Sequence, residues 1–181
     1  MNERGKPPIG MNDRVWWLGG AEKDNYLREN TWLIAAGGKS VLIDPGPVPG
    51  FPAIFKAFSS VGDLQNLTAI AVTQGHPDAC ASLPLWEKAG FSGKIIAHWK
   101  TALLLPSLGI RSAFRYVHHE ETDESGHFLG LRLIPLPNLG NGGSLALFDS
   151  DTGTLFSGNL FGFYGRNSPL LGAPDTLERV A

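Results

Sequence analysis

The chain has 181 residues, of which 43% are apolar and 18% are charged, and its formal net charge is −2. This length and apolar content allow one domain of ordinary size with a buried core. The low net charge excludes a strongly basic surface, so neither nucleic acid nor an anionic membrane is an expected partner. The 23 glycines and 13 prolines favour a turn-rich α/β or β-rich domain over a helical bundle.

The first 13 residues are polar and include Gly5, Pro7 and Pro8. They lack the apolar stretch of a signal peptide, and no run in the chain approaches the roughly 18 apolar residues that a membrane span needs. Cys80 is the single cysteine of the sequence, which excludes an internal disulfide and fits a reducing compartment. These features predict a flexible N-terminal arm at 1–13 and a cytoplasmic domain at 14–181.

The predicted elements follow one another in an order typical of a mixed sheet flanked by helices. Strands are predicted from alternating or continuous apolar runs, and turns from Gly, Pro and Asp. Apolar residues at 51, 54, 55 and 58 have the spacing of an amphipathic helix. The predicted strands are 15–18, 31–36, 40–44, 67–72, 94–98, 114–118, 129–136, 145–148 and 154–157, and the predicted helices are 51–61, 77–88 and 101–108.

The turn after the predicted strand at 67–72 contains the largest group of candidate functional side chains. That strand is almost continuously apolar, which suits a strand buried on both faces, and it is followed by Gln74, His76 and Asp78. Polar turns also follow the strands that end at 136 and 157. Polar side chains at the carboxyl ends of strands are a common arrangement for a functional site.

Several short motifs recur in an order that resembles one superfamily. They are a strand containing Asn30, the segment Leu-Ile-Asp-Pro-Gly at 42–46, the polar turn after a buried strand, Gly143-Ser144, and Gly-Thr-Leu-Phe-Ser-Gly at 153–158. Together they resemble the metallo-β-lactamase superfamily from about residue 14 to 165. The opening Trp16-Trp17 and the segment 156–162 are most similar to its flavodiiron and oxygen-binding diiron branch.

This resemblance implies a fold and a place for a metal site. The implied fold is an αββα sandwich of the α/β (α+β) class, with a dinuclear metal site at the loop edge of the two sheets. The chain ends before the last His ligand of the family, so the resemblance implies a C-terminally truncated version of the fold.

Most ligand positions of the family are changed in this sequence. The pattern His-x-His-x-Asp-His, with Glu for the second His in the diiron branch, falls on residues 74–79, and the next His ligand and the bridging Asp fall further along the chain. A metal needs about three or four good donors, mostly imidazole or carboxylate, whereas amide oxygens are weak donors and Ala and Gly have no side-chain donor. We therefore expect no catalytic residues and no metal ligands, or at most His76 and Asp78. The positions where a ligand pocket would replace the metal site are Gln74, His76, Asp78, Ala79, Gly140 and Asn159.

The leading hypothesis is a domain that lacks a functional dinuclear metal site and acts in binding, sensing or assembly. It would have no cofactor, would bind a small molecule at the former ligand positions, and would form a homo-oligomer or associate with an intact relative. The alternative is an enzyme, either a metal-dependent hydrolase or a diiron-type oxidoreductase, that uses one weakly bound iron or zinc. A third reading is a folded but inactive relic.

The same residues also have ordinary structural interpretations. His76 and Asp78 suit the start of a helix, where an acidic side chain is favoured by the macrodipole. Cys80 is either a buried helix thiol or a nucleophile whose pKa is lowered near a helix N-terminus. His118 and His119 point to opposite sides of a strand and are interpreted as surface residues.

Overall fold

The structure is a computed structural model that describes residues 7–20, 30–118, 126–136 and 143–160. Two β-sheets pack against each other, and helices cover the outer face of the larger one. Two short 3-10 helices, Val48–Gly50 and Leu105–Leu108, complete the described secondary structure. The strands are β1 (Ile9–Gly10), β2 (Val15–Gly20), β3 (Asn30–Ala36), β4 (Lys39–Ile43), β5 (Leu67–Val72), β6 (Lys94–His98), β7 (Phe114–Val117), β8 (His127–Phe128), β9 (Leu131–Leu136), β10 (Ser144–Asp149) and β11 (Thr154–Phe156), and the α-helices are α1 (Phe51–Val61), α2 (Pro77–Cys80), α3 (Leu83–Lys88) and α4 (Trp99–Leu104).

The larger sheet has seven strands in chain order, β1 to β7, and the smaller one has the order β11-β10-β9-β8. Strands β1 to β4 are antiparallel to their neighbours, whereas β4 to β7 run parallel. The smaller sheet is antiparallel throughout. In the parallel part, the carboxyl ends of β4, β5 and β6 meet at one edge, which is where polar turns can form a site.

The central strands are apolar on both faces because a different layer covers each face. One face of the larger sheet packs on the smaller sheet, and this cluster includes Ile34, Ile43 and Ala71 of the larger sheet with Leu133 and Leu147 of the smaller. The opposite face packs on the four helices. The described residues therefore form three layers, helix–sheet–sheet.

Helix α1 forms at the predicted residues because its apolar positions recur with helical spacing. Ile54 and Phe58 are buried against the larger sheet, and Gly62 ends the helix by donating its N–H to the Phe58 carbonyl at 2.7 Å. Trp86 of α3 meets Phe51 and Phe58 edge-on, with ring centroids 5.6 and 5.2 Å apart. Edge-to-face packing of this kind fixes α1 against α3.

The helix predicted at 77–88 is two short helices, so that prediction is wrong between them. The N–H of Ser82 donates to the Gly46 carbonyl at 3.1 Å, and its hydroxyl donates to the Pro45 carbonyl at 2.9 Å. Pro84 has no N–H with which to continue the ladder. The chain breaks at this buried serine because its donors bind the loop after β4.

Two short strands were not predicted from the sequence. Strand β1 lies within residues 1–13, the predicted N-terminal arm, where Ile9 and Gly10 pair with Trp17 and Trp16. Strand β8 precedes a two-residue turn in which Leu129 and Gly130 both have positive φ, 51° and 79°. The strand predicted from residue 129 therefore begins at 131, because such a turn joins two antiparallel strands.

Arg14 links the two sheets at the edge opposite the polar turns. Its Nη2 donates to the Leu129 carbonyl at 2.9 Å, and its Nη1 lies 2.5 Å from Asp151 Oδ2. Its Nε lies 3.1 Å from Oδ2 of Asp149, whose side chain is completely buried. This contact is an ion pair without hydrogen-bond geometry, and the Thr152 hydroxyl donates a hydrogen bond to the same Asp149 oxygen at 2.8 Å. The guanidinium is thus the cation that compensates a buried carboxylate.

No helix in the described ranges is long and apolar enough to cross a membrane.

Candidate functional site

Asp44 directly follows β4 and begins a tight turn at the edge where the parallel strands end. Its N–H donates to the Ala71 carbonyl at 2.9 Å, and its own carbonyl accepts from the Thr31 hydroxyl at 2.7 Å. Its φ is 50°, a left-handed conformation in which Asp and Asn are enriched over other non-glycine residues. Pro45 and Gly46 then lead the chain away from the sheet. Asp44 is buried at 4% exposure, so its carboxyl group acts inside the protein.

Thr73, the first residue after β5, connects both sheets at this edge. Its N–H and its hydroxyl donate to the two carboxylate oxygens of Asp44, at 2.8 and 2.6 Å. Its carbonyl accepts from the N–H of Leu145 in the smaller sheet at 2.7 Å. Gly158, after β11, also lies against it, because a Cβ on Gly158 would stand 2.6 Å from the Thr73 hydroxyl oxygen. The ends of four strands therefore converge on Thr73.

Four of the predicted site residues follow Thr73 directly. Gln74 is buried at 6% exposure, and its side-chain amide nitrogen has no hydrogen-bond partner in the part of the chain described. His76 is exposed and precedes α2 without a side-chain cap bond, whereas Asp78 is half-buried in the first turn. Ala79 is fully buried. The structure therefore brings a buried amide and two titratable side chains into one turn.

Of the remaining two predicted positions, Asn159 lies within the described residues and Gly140 does not. Asn159 is exposed in the turn after β11, one residue beyond Gly158. Because Gly158 packs on Thr73, Asn159 lies at the same edge of the sandwich as the turn after β5. Gly140 and His119 lie outside the described residues. His118 is exposed, as predicted, and its ring stacks on Trp99 at a centroid distance of 6.3 Å.

A groove of about 490 Å³ opens beside this turn. One wall is the loop after β4, and the other is the start of α2. Its lining residues are Pro47, Val48, Pro49, His76, Pro77, Asp78 and Ala81.

Burial controls the acid–base properties of the groups behind the groove. It raises the pKa of Asp44 from 3.8 to about 7, although the hydrogen bonds from Thr73 favour the carboxylate; the charge of Asp78 adds to the rise. Burial also raises the pKa of the Cys80 thiol from 9.0 to about 12, with the charges of Asp44 and Asp78 contributing less. Burial therefore favours the protonated form of the Asp44 carboxyl over the carboxylate, relative to a solvent-exposed Asp.

Cys80 is a buried thiol rather than a nucleophile. Its Sγ donates to the His76 carbonyl at 3.1 Å, and the side chain is 1% exposed. Burial raises the pKa of this thiol, which contradicts the less favoured possibility that the helix start lowers it. The default interpretation, a buried helix thiol, is confirmed.

The donors at this edge do not fit a dinuclear metal centre. Of the predicted positions that the structure describes, only His76 and Asp78 carry strong donors, and Gln74 and Asn159 offer neutral amide oxygens. Within the described ranges no group of three or more His, Cys, Asp and Glu side chains is placed to hold a metal ion. An amide at Asn159 also lacks the negative charge that a ligand bridging two cations needs.

Two packed sheets with helices outside the larger one define a metallo-β-lactamase fold, and solved structures confirm it. A flavodiiron protein from Giardia intestinalis superposes with a TM-score of 0.77 at 17% identity, over 93% of this chain and 44% of that one. A mutant of the flavo di-iron protein from Thermotoga maritima superposes with a TM-score of 0.77 at 23% identity, and the match covers 96% of this chain and 48% of that one. A peroxy diiron species of the chemotaxis sensor ODP superposes with a TM-score of 0.70 at 19% identity, and the match covers 93% of this chain and 69% of that one.

These likenesses show that the chain has the metallo-β-lactamase fold. More narrowly, the chain belongs to the family described as ODP family beta lactamase, whose profile matches residues 27–175. It spans less than half the length of the two flavodiiron chains. A comparison with curated protein sequences finds no significant match.

Asp44 is the site residue that sequence reasoning missed. The sequence contained a signal for it, since an acidic residue ends an apolar strand just before Pro45 and Gly46. That segment was used only as a motif of the superfamily. Its burial and its bonds to Thr73 depend on residues 29 positions away, which no local pattern reveals.

Proposed function

We propose that this chain is a ligand-binding or sensing domain of its family that lacks a functional dinuclear metal site. The ligand is a small molecule held at the turn after β5, where Gln74, His76 and Asp78 take the place of metal ligands. Sensing is the role named for one structural neighbour, the chemotaxis sensor ODP. A cytoplasmic location, and association with a second copy or with an intact relative, stay predictions.

The observation that carries this proposal is the unpartnered amide nitrogen of Gln74. Gln74 is only 6% exposed, yet no acceptor in the described residues accepts a hydrogen bond from its Nε2. A buried donor without a partner costs about 1–3 kcal/mol. Natural proteins keep such groups for a reason, and an acceptor on a bound ligand would satisfy this one.

Gln74→Met should therefore raise the free energy of unfolding of the ligand-free protein by about 1–3 kcal/mol, because the unsatisfied donor is removed at nearly constant volume. Urea unfolding followed by fluorescence measures this change. Gln65→Met, at an exposed position after α1, is the control and should change stability by less than about 0.5 kcal/mol. A clear loss of stability in Gln74→Met would mean that the amide is already satisfied, which would remove the support for a ligand.

Metal content per chain, measured by elemental mass spectrometry on protein purified without added metal, tests the other half of the proposal. We expect wild type to hold close to no iron or zinc. Asn159→Asp restores a carboxylate at the position of the bridging ligand, and we expect little metal there too, because Gln74 and Ala79 still supply no strong donor. One or two metal ions per wild-type chain would refute the proposal and favour the alternative, a metal-dependent hydrolase or diiron-type oxidoreductase.

That alternative has one observation in its favour. His76 and Asp78 both line the same groove, so a single cation would find an imidazole and a carboxylate on one wall. With only two protein ligands such a site would be weak.

A further inference from the structure

The groove beside α2 has stiff walls and room for a small molecule. Its volume is about 490 Å³, and it is an open groove rather than an enclosed pocket. Pro47 and Pro49 on one wall and Pro77 on the other have restricted backbones. Little conformational entropy would therefore be lost when a ligand binds.

Hydrogen bonds tie the two walls together behind the groove. The N–H of Gly46 donates to the Ala79 carbonyl at 2.9 Å, and the N–H of Ser82 donates to the Gly46 carbonyl at 3.1 Å. The Ser82 hydroxyl donates to Pro45 at 2.9 Å. These bonds hold the loop after β4 at a set distance from α2, so the groove exists before a ligand arrives.

The walls are mostly apolar, and His76 and Asp78 are the two titratable lining residues. Val48 is 50% exposed and, with the three prolines, offers an apolar surface to a ligand. Asp78 is the charged lining residue, and the lining contains no Lys or Arg. The salt bridges found in the described residues all involve Arg14, at the opposite edge of the sandwich. The Asp78 carboxylate therefore lines the groove without a salt bridge to Lys or Arg in the described part of the chain.

We propose that this groove binds a small organic cation, a primary amine with an apolar body. The ammonium group would pair with the Asp78 carboxylate, and the body would lie along Val48 and the prolines. Gln74 is not among the residues that line the groove, so this inference does not explain its amide and goes beyond the proposed function.

The test is a titration of the full chain, labelled with nitrogen-15, with four probes of similar size. Phenethylamine and n-hexylamine carry the charge, 2-phenylethanol is neutral, and phenylacetate is an anion. We expect saturable shifts of the Val48, Asp78 and Ala81 amide signals with the two amines, and at least tenfold weaker binding of the alcohol and the acid. A hydrogen bond to a charged group is worth about 1.5–3 kcal/mol, which corresponds to a factor of about ten or more.

Asp78→Asn removes the charge and keeps an oxygen for the N–H of Ala79, which now donates to Asp78 Oδ1 at 3.2 Å. It should weaken amine binding about tenfold or more. Asp13→Asn makes the same charge change at an exposed position away from the groove and should leave the dissociation constant within about twofold. The spectra of both variants show directly whether the fold is kept.

The outcomes separate this inference from the proposed function. Equal binding of amine and alcohol, a preference for phenylacetate, or no saturable shift with any probe overturns the organic cation, while a metal content near zero still supports the metal-free domain. Stoichiometric iron or zinc that competes with the amines overturns both. Amine binding that depends on Asp78, together with negligible metal, supports both.

Discussion

Arg14→Met is expected to lower the free energy of unfolding by about 3–5 kcal/mol, because removal of one partner of a buried ion pair leaves the other charge uncompensated. Asp149 is completely buried, and Arg14 is 18% exposed. Arg14 also holds the Leu129 carbonyl and Asp151, so it joins both hairpins of the smaller sheet to β2. Urea or thermal unfolding of the purified variant measures the loss.

A double variant distinguishes the missing charge from missing packing. Arg14→Met combined with Asp149→Leu should recover much of the lost stability, since apolar replacement of a buried pair is often neutral or stabilising. Arg132→Met, at an exposed position on β9, is the control and should be nearly neutral. A loss below about 1 kcal/mol in Arg14→Met would show that Asp149 does not need this cation.

We expect the free energy of unfolding of the wild-type protein to fall as the pH rises from about 4 to about 8. In Asp44→Asn this fall should be absent. The pKa of Asp44 is raised from 3.8 to about 7 in the folded protein, mainly by burial, so the folded state holds its proton more tightly than the unfolded state. Its contribution to stability is therefore complete below pH 3.8 and is lost as the pH rises through about 7. The total loss is on the order of 4 kcal/mol.

Unfolding curves at pH 5 and pH 8 give the change in the free energy of unfolding with pH for each protein. The effect of Asp44 is the change in wild type minus the change in Asp44→Asn. Asn suits the left-handed φ of 50°, and its carbonyl oxygen can still accept from the Thr73 N–H. Groups that titrate in both proteins cancel, including Glu87, whose pKa is lowered by hydrogen bonds from Ser112 and Arg111 against its desolvation. Identical pH dependence in the two proteins would mean that Asp44 is ionised throughout this range.

Most of the layered fold could be predicted because the patterns that carry it are local. The boundaries of α1, β5 and β6 agree with the predicted 51–61, 67–72 and 94–98, since helical spacing and continuous apolar runs respond to burial directly. Strands β1 and β8 have two residues each and were missed. Such short segments have no pattern of their own and become strands only through the neighbour with which they pair.

The candidate site was predictable in part for the same reason. Gln74, His76 and Asp78 lie in one turn, so their proximity follows from the chain itself. The nearness of Asn159 to that turn was implied only by the resemblance to a superfamily, and the packing of Gly158 on Thr73 now places it there. The groove was not predicted, because its two walls come from segments about 30 residues apart.

The sequence by itself predicted most of the strands and helices, the resemblance to the superfamily, and the lack of strong donors at four of the six positions that this resemblance implies as metal ligands. These follow from side-chain chemistry and from periodic burial along short segments. Only the tertiary structure decided that Asp44 is buried and accepts two hydrogen bonds from Thr73, that Arg14 compensates Asp149, and that the buried Gln74 amide nitrogen meets no acceptor among the described residues. A pKa, an ion pair and an unsatisfied donor each depend on which distant groups share a low-dielectric interior, and that depends on how the sheets pack.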